Sequence, residues 1–205
     1  MDYTEVVRRR RMVRNYDPDR PVPREVLTEL LELAIRAPSA GFSQGWHFLV
    51  LDEAEDRAAF WQATTDSTAD PDPWLRDMQT APALIIAMSD KQAYLDRYAA
   101  PDKGWTDRDE AHWPVPYWDI DTGMASLLIL LGAVDRGLAS CFFGVPAERH
   151  QQVKQAFGIP DRLSLVGVIS LGQPAPDRRS PSLKRSRRPV SEVASFGRMQ
   201  PPAGD

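Results

Sequence analysis

From Arg24 to Ala37 the apolar positions recur at helical spacing. Val26, Leu27, Leu30, Leu31, Ala34 and Ile35 share one face, and Glu25, Glu29, Glu32 and Arg36 fall largely away from it. The pattern predicts an amphipathic helix that stops at "APSAG", where Pro38 and Gly41 end it. A shorter helix is expected over residues 2–11, with Thr4 as its cap and Val6 and Val7 as a small apolar face. Between the two, "NYDPDRPVP" reads as a loop broken by Pro18, Pro21 and Pro23. Further on, "WHFLVLD" (46–52) reads as a strand, "EAEDRAAFWQATT" (53–65) as a helix, and "DPDPWLRDMQTAP" as irregular or a short helix. "ALIIAMS" (83–89) is apolar at both parities, which predicts a strand buried on both faces. Residues 99–117 form a loop rich in Trp, Pro and Tyr. "DIDTGMASLLILLGAVDRGL" (119–138) is a long helix, apolar almost all round, and such a helix is normally buried on every side. In a domain this small, a second copy of the chain is a natural cover. "SCFFGV" reads as a short strand, "AERHQQVKQAFG" (147–158) as a helix with a glycine stop, and "LSLVGVISLG" (163–172) as another strand.

The sum is four or five strands and five or six helices, mixed along the chain. An α+β domain is the expected class, since βαβ alternation is unclear and no "GxGxxG" follows a strand. The 205 residues fit one domain, with 173–205 as a Pro-, Ser- and Arg-rich C-terminal arm. A single cysteine, Cys141, permits no intramolecular disulfide and points to a reducing compartment, the cytoplasm. The most apolar run, 124–134, is too short to cross a hydrocarbon layer of about 30 Å as a helix. No membrane partner is expected.

Charge changes the picture. The chain has a formal net charge of -4, yet Arg8, Arg9, Arg10, Arg11 and Arg14 crowd together near one end and Lys184, Arg185, Arg187 and Arg188 near the other. Two basic islands in an acidic background suggest a local anion site; a nucleic-acid face would more often make the whole domain basic. Guanidiniums converging on a phosphate give charge-assisted, often bidentate hydrogen bonds. His47, His112 and His150 are isolated, so no metal is expected. Cys141 lacks a local base signature and reads as a buried hydrophobe.

Five segments then occur in order: "RRRMVRNY", "RAPSAGFSQGWHFLVL", "DRGLASCFFGVP", "LVGVISLGQP" and "KRSRRPV". Together they resemble the FMN-dependent nitroreductase family, from about residue 8 to 193. The resemblance implies one nitroreductase-like α+β domain over 1–205. It further implies a central mixed sheet flanked by helices, a long buried interface helix, an extended C-terminal arm, and a homodimer with FMN between the subunits. It assigns cofactor binding to Arg10, Arg11, Met12, Arg14, Pro38, Ser39, Ala40, Phe143, Gly144, Arg185 and Arg187. No protein group is assigned as catalytic, because the flavin carries the chemistry. NADH or NADPH is the implied electron donor, and a planar nitroaromatic or quinone the implied acceptor, with ping-pong kinetics.

Three positions depart from the family pattern. Met12 stands where Ser is usual, Phe42 where Asn is usual, and Gly45 where Pro is usual. Phe42 makes the pocket more apolar and joins Trp113, Tyr117 and Trp118 as candidate acceptor contacts; the alternative for the loop aromatics is that they anchor the loop. Two other functions stay open. One keeps fold and flavin but changes the reaction, to benzimidazole synthase-like flavin cleavage, reductive dehalogenation or dehydrogenation. The other is a non-catalytic anion- or nucleic-acid-binding protein.

Overall fold

The structure is a computed structural model and describes residues 1–65, 70–176 and 184–199. Its helices and strands are α1 (Tyr3–Arg9), α2 (Arg24–Ala34), β1 (Trp46–Leu51), α3 (Ala54–Thr64), α4 (Pro73–Met78), β2 (Ala83–Asp90), α5 (Lys91–Tyr98), α6 (Tyr117–Asp135), β3 (Ala139–Phe143), α7 (His150–Phe157), β4 (Leu163–Gly172) and α8 (Val190–Val193). The strands form one sheet in the order β1-β2-β4-β3. All three pairings are antiparallel, so the expectation of a mixed sheet is corrected for the described strands. The reason is topological: β2 and β3 run the same way, but β4 inserts between them, and no parallel pair is adjacent.

Strand β2 is the centre of the molecule, and all eight of its residues are buried. Its side chains alternate between two cores, as the two-residue period of a strand requires. Ala83 and Ile85 meet Leu27 and Leu30 of α2 and Ile129 and Ala133 of α6. Leu84, Ile86 and Met88 meet Phe60 and Trp61 of α3 and Val153 of α7. Each large apolar side chain buried this way stabilises the fold by about 1.5–3 kcal/mol. Gly132 lets α2 lie close on α6: a Cβ there would stand 2.7 Å from Leu33 Cδ1 and 2.8 Å from Leu30 Cδ2.

Helix α6 departs from its expected burial. Ala125, Ile129 and Ala133 are covered, but Ile120, Met124 and Leu127 form an exposed apolar stripe. It starts at Tyr117, two residues early, and ends at Asp135, with Gly137 at φ 71° just beyond its end. Helix α1 is capped by Asp2, whose carboxylate accepts the Glu5 N–H at 3.0 Å, and not by Thr4. Helix α5 has no counterpart in the expected elements; Asp90 ends β2 and caps it, accepting the Gln92 N–H at 3.0 Å.

After α1 the chain becomes a strap along the sheet edge. Val13 N–H donates to Ser140 O at 3.0 Å, and Asp17 N–H to Gln173 O at 3.0 Å. Tyr16 is buried beneath it, its hydroxyl within 2.5 Å of Val13 O and 2.7 Å of Ser170 Oγ.

Candidate functional site

Arg10, at φ -57° and ψ 122°, carries the chain out of α1 into extended backbone. Side chains along such a run alternate, and the basic island divides accordingly. Arg9, Arg11 and Val13 line a cleft of about 170 Å³ with Gly137 and Ser140, and Arg9 pairs there with Glu5 at 3.0 Å. Met12 packs against both cores, and its Sδ accepts the Phe142 N–H at 3.4 Å. The thioether therefore ties the strap to β3. Arg14 donates through Nη1 to Met12 O at 3.1 Å. Arg10 Nη1 is buried and has no hydrogen-bond partner among the described residues. Leaving a buried donor unmatched costs about 1–3 kcal/mol, more when it is charged, so this nitrogen calls for an acceptor from beyond the described residues.

At the far end of β3, Phe143, Gly144, Val145 and Pro146 border a cavity of about 390 Å³ with Trp61 and Trp74. Trp61 and Phe143 stack with centroids 5.8 Å apart and planes 9° from parallel. Trp74 meets Phe143 edge-on at 5.9 Å. Interlocked rings make this wall stiff and apolar.

The turn after α2 holds Pro38, Ser39 and Ala40. Gly41, Phe42 and Gln44 have φ of 60°, 57° and 51°, a conformation that costs a non-glycine residue about 1–2 kcal/mol. Several bonds hold it. Ala40 N–H donates to Asp121 Oδ2 at 2.8 Å, Gln44 N–H to Ser39 Oγ at 3.1 Å, and Arg97 Nε to Gly41 O at 2.9 Å. Asp90 N–H donates to Gly45 O at 2.6 Å. Phe42 stands at the tip, 73% exposed. The glycine at 45 has a steric cause: a Cβ would lie 2.6 Å from the Tyr94 ring and 2.7 Å from Asp90 O.

Behind this turn lies an aromatic cluster. Tyr94 meets Trp113 and Trp118 edge-on at 5.9 and 6.2 Å, and Tyr98 meets Trp113 at 4.6 Å. Trp118 is buried and Trp113 half-buried within the ring cluster, which favours loop anchoring for both; Tyr117 is exposed. Ion pairs fasten the same loop from outside: Lys91–Glu110 at 2.5 Å, Arg97–Asp102 at 2.7 Å and Arg108–Asp96 at 2.8 Å. Exposed pairs of this kind contribute about 0–1 kcal/mol each. His112, 3.0 Å from Asp107, holds that carboxyl below its ordinary range, chiefly through their hydrogen bond.

Two polar residues at this site are absent from the sequence-level candidates. Tyr94 donates its hydroxyl proton to Asp121 Oδ2 at 2.8 Å, deep in the fold. Burial first, and the Asp121 carboxylate second, push the Tyr94 phenol far above its ordinary value. The clue in the sequence is a carboxylate, Asp121, inside the long apolar helix. Arg185 and Arg187 lie in the described piece of the arm, 184–199, where every side chain is exposed. Residues 177–183 and 200–205 of the arm lie outside the described residues.

Fold and site together define an α+β protein with a buried Arg10 Nη1, unpartnered among the described residues, near an edge strand, and an apolar cavity at that strand's end. Residues 7–173 match the Nitroreductase family, and the chain belongs to that family. It is 30% identical, over 85% of its length and 78% of the relative's, to a Methanothermobacter thermautotrophicus protein named as an NADH dehydrogenase/NAD(P)H nitroreductase. It is 30% identical to the 4-nitrobenzoate reductase of Nocardioides sp., over 95% of this chain and 89% of that one. Among solved structures it resembles a nitroreductase of Exiguobacterium sibiricum in complex with FMN, with a TM-score of 0.74 and 25% identity. That likeness covers 96% of this chain and 97% of that one.

Proposed function

We propose that the chain is an FMN-dependent oxidoreductase that takes electrons from NADH or NADPH and delivers them to a planar acceptor, a nitroaromatic or a quinone. Its home on this reading is the cytoplasm, and its working form is a homodimer with FMN between the subunits. The observation that carries the reading is the buried Arg10 Nη1, without an acceptor among the described residues, in a chain whose family relatives include a structure solved with FMN. A phosphate monoester supplies the acceptor that this nitrogen lacks. Arg14 and, from the arm, Arg185 and Arg187 add positive charge, while Met12 ties the strap to β3. Arg11, on the cleft side of the strap, contributes field more than contact.

When bound, FMN supplies the two-electron transfer between donor and acceptor. The protein's own part is to bind, orient and exclude water. Phe143 and Gly144 form the wall beside which a ring lies. Pro38, Ser39 and Ala40 of a second copy close over it, with Phe42 as an apolar contact for the acceptor. Two features support the dimer: the exposed stripe Ile120, Met124 and Leu127, and the exposed apolar side chains Val190, Val193 and Phe196 of the arm. The single domain, on this reading, extends its arm 173–205 across the partner.

The test is the visible absorption spectrum of the freshly purified protein, followed by heat release and identification of the flavin. A yellow protein that releases FMN and oxidises NAD(P)H with a nitroaromatic or quinone is expected. A colourless protein that takes up no added FMN would overturn the reading. FMN retention without turnover of either acceptor would point to one of the other flavin reactions.

A further inference from the structure

We infer that the Asp121 carboxylate is a positioning residue: through it the aromatic cluster sets where Phe42 stands, and so sets the size of acceptor the site admits. The inference rests on the reading above, in which the Pro38–Gly45 turn faces the acceptor. Asp121 is 4% exposed, and one oxygen, Oδ2, accepts both the Ala40 N–H and the Tyr94 O–H, each at 2.8 Å. Both donors are neutral, and no cation pairs with this carboxylate among the described residues. Burying a carboxylate on such terms is costly. A carboxylate, however, can accept twice without bringing a donor of its own, whereas an amide would leave an N–H₂ to satisfy.

The result is a two-ended hold. Asp121 fixes the start of the turn at Ala40. The ring of Tyr94, itself held by Asp121, lies against the end of the turn at Gly45, and it packs on Trp113 and Trp118. Between these points run the left-handed residues Gly41, Phe42 and Gln44. Strained backbone persists only while its surroundings over-determine it. Releasing either point lets the turn relax and moves Phe42, its exposed tip.

Two variants of the full-length, FMN-loaded protein test this. Asp121→Asn inserts the unsatisfied amide; Tyr94→Phe keeps the ring and removes one donor, and it serves where the first fails to fold. Nitrobenzene and 1-nitronaphthalene are the acceptor probes. The ratio of their kcat/KM values is expected to shift about tenfold toward the larger probe, carried by KM rather than kcat. Amide exchange across residues 39–45 is expected to quicken in the same variants. Ser89→Ala, which removes the 2.6 Å bond to Asp119 on the same helix, is expected to leave both readouts in place. An unchanged ratio in both variants, or the same shift in Ser89→Ala, would overturn the assignment. If the wild type binds no FMN, the proposed function fails instead; the exchange measurement then still decides whether Asp121 holds the turn.

Discussion

Arg10, Gly45 and Tyr94 each make a single-residue argument. Arg10→Ala removes a charge-assisted phosphate partner worth about 1.5–3 kcal/mol, so FMN is expected to bind roughly ten- to hundredfold more weakly, read by fluorescence titration. Unchanged affinity would show that the unmatched nitrogen serves something else. Gly45→Ala forces a methyl into the Tyr94 ring and the Asp90 carbonyl, and the expected loss is about 1–3 kcal/mol in urea denaturation. Tyr94 gives a pH dependence. The fold raises its phenol, so the stabilisation is complete below the unfolded value of about 10 and fades as pH rises above it. The stability difference between wild type and Tyr94→Phe should therefore shrink in alkaline urea titrations; a constant difference would separate Tyr94 from Asp121. Much of this was hidden in the sequence for physical reasons. The arginine run announced an anion, but the division of Arg10 from Arg11 depends on backbone extension at one residue. Gly45 looked like a lost proline until the ring that occupies its Cβ space was known.

Among the elements, the strongly patterned ones were legible: α2 from its apolar face, β2 from apolar residues at both parities. Helix α5 was not, because "KQAYLDRY" is short and polar and buries only Tyr94 and Leu95. Its start also coincides with a strand end, Asp90 serving both. The apolar character of α6 was readable in its composition, whereas which side stays bare depends on where α2 packs. That bare side gives a prediction for the element. Met124→Glu or Leu127→Glu places a charge on the exposed stripe, where it would be harmless in a monomer but unpaired in a buried interface. Sedimentation velocity is expected to show monomer for either variant and dimer for wild type. A dimer that survives both charges would move the interface elsewhere.

For the whole molecule, the arm is the informative part. From 184 to 199 every residue is exposed, yet the segment carries Arg185 and Arg187. A chain ending at residue 176 is expected to keep the two cores and the sheet, and to lose dimer and FMN together. Loss of FMN with the dimer intact would make the arm a cofactor clamp only. The bare stripe of Ile120, Met124 and Leu127 carries a consequence beyond architecture. If the site is complete only when two copies meet, competence follows mass action: turnover per mole of chain falls on dilution and rises with the cell's supply. The concentration of the protein then sets how much of it is an enzyme at all.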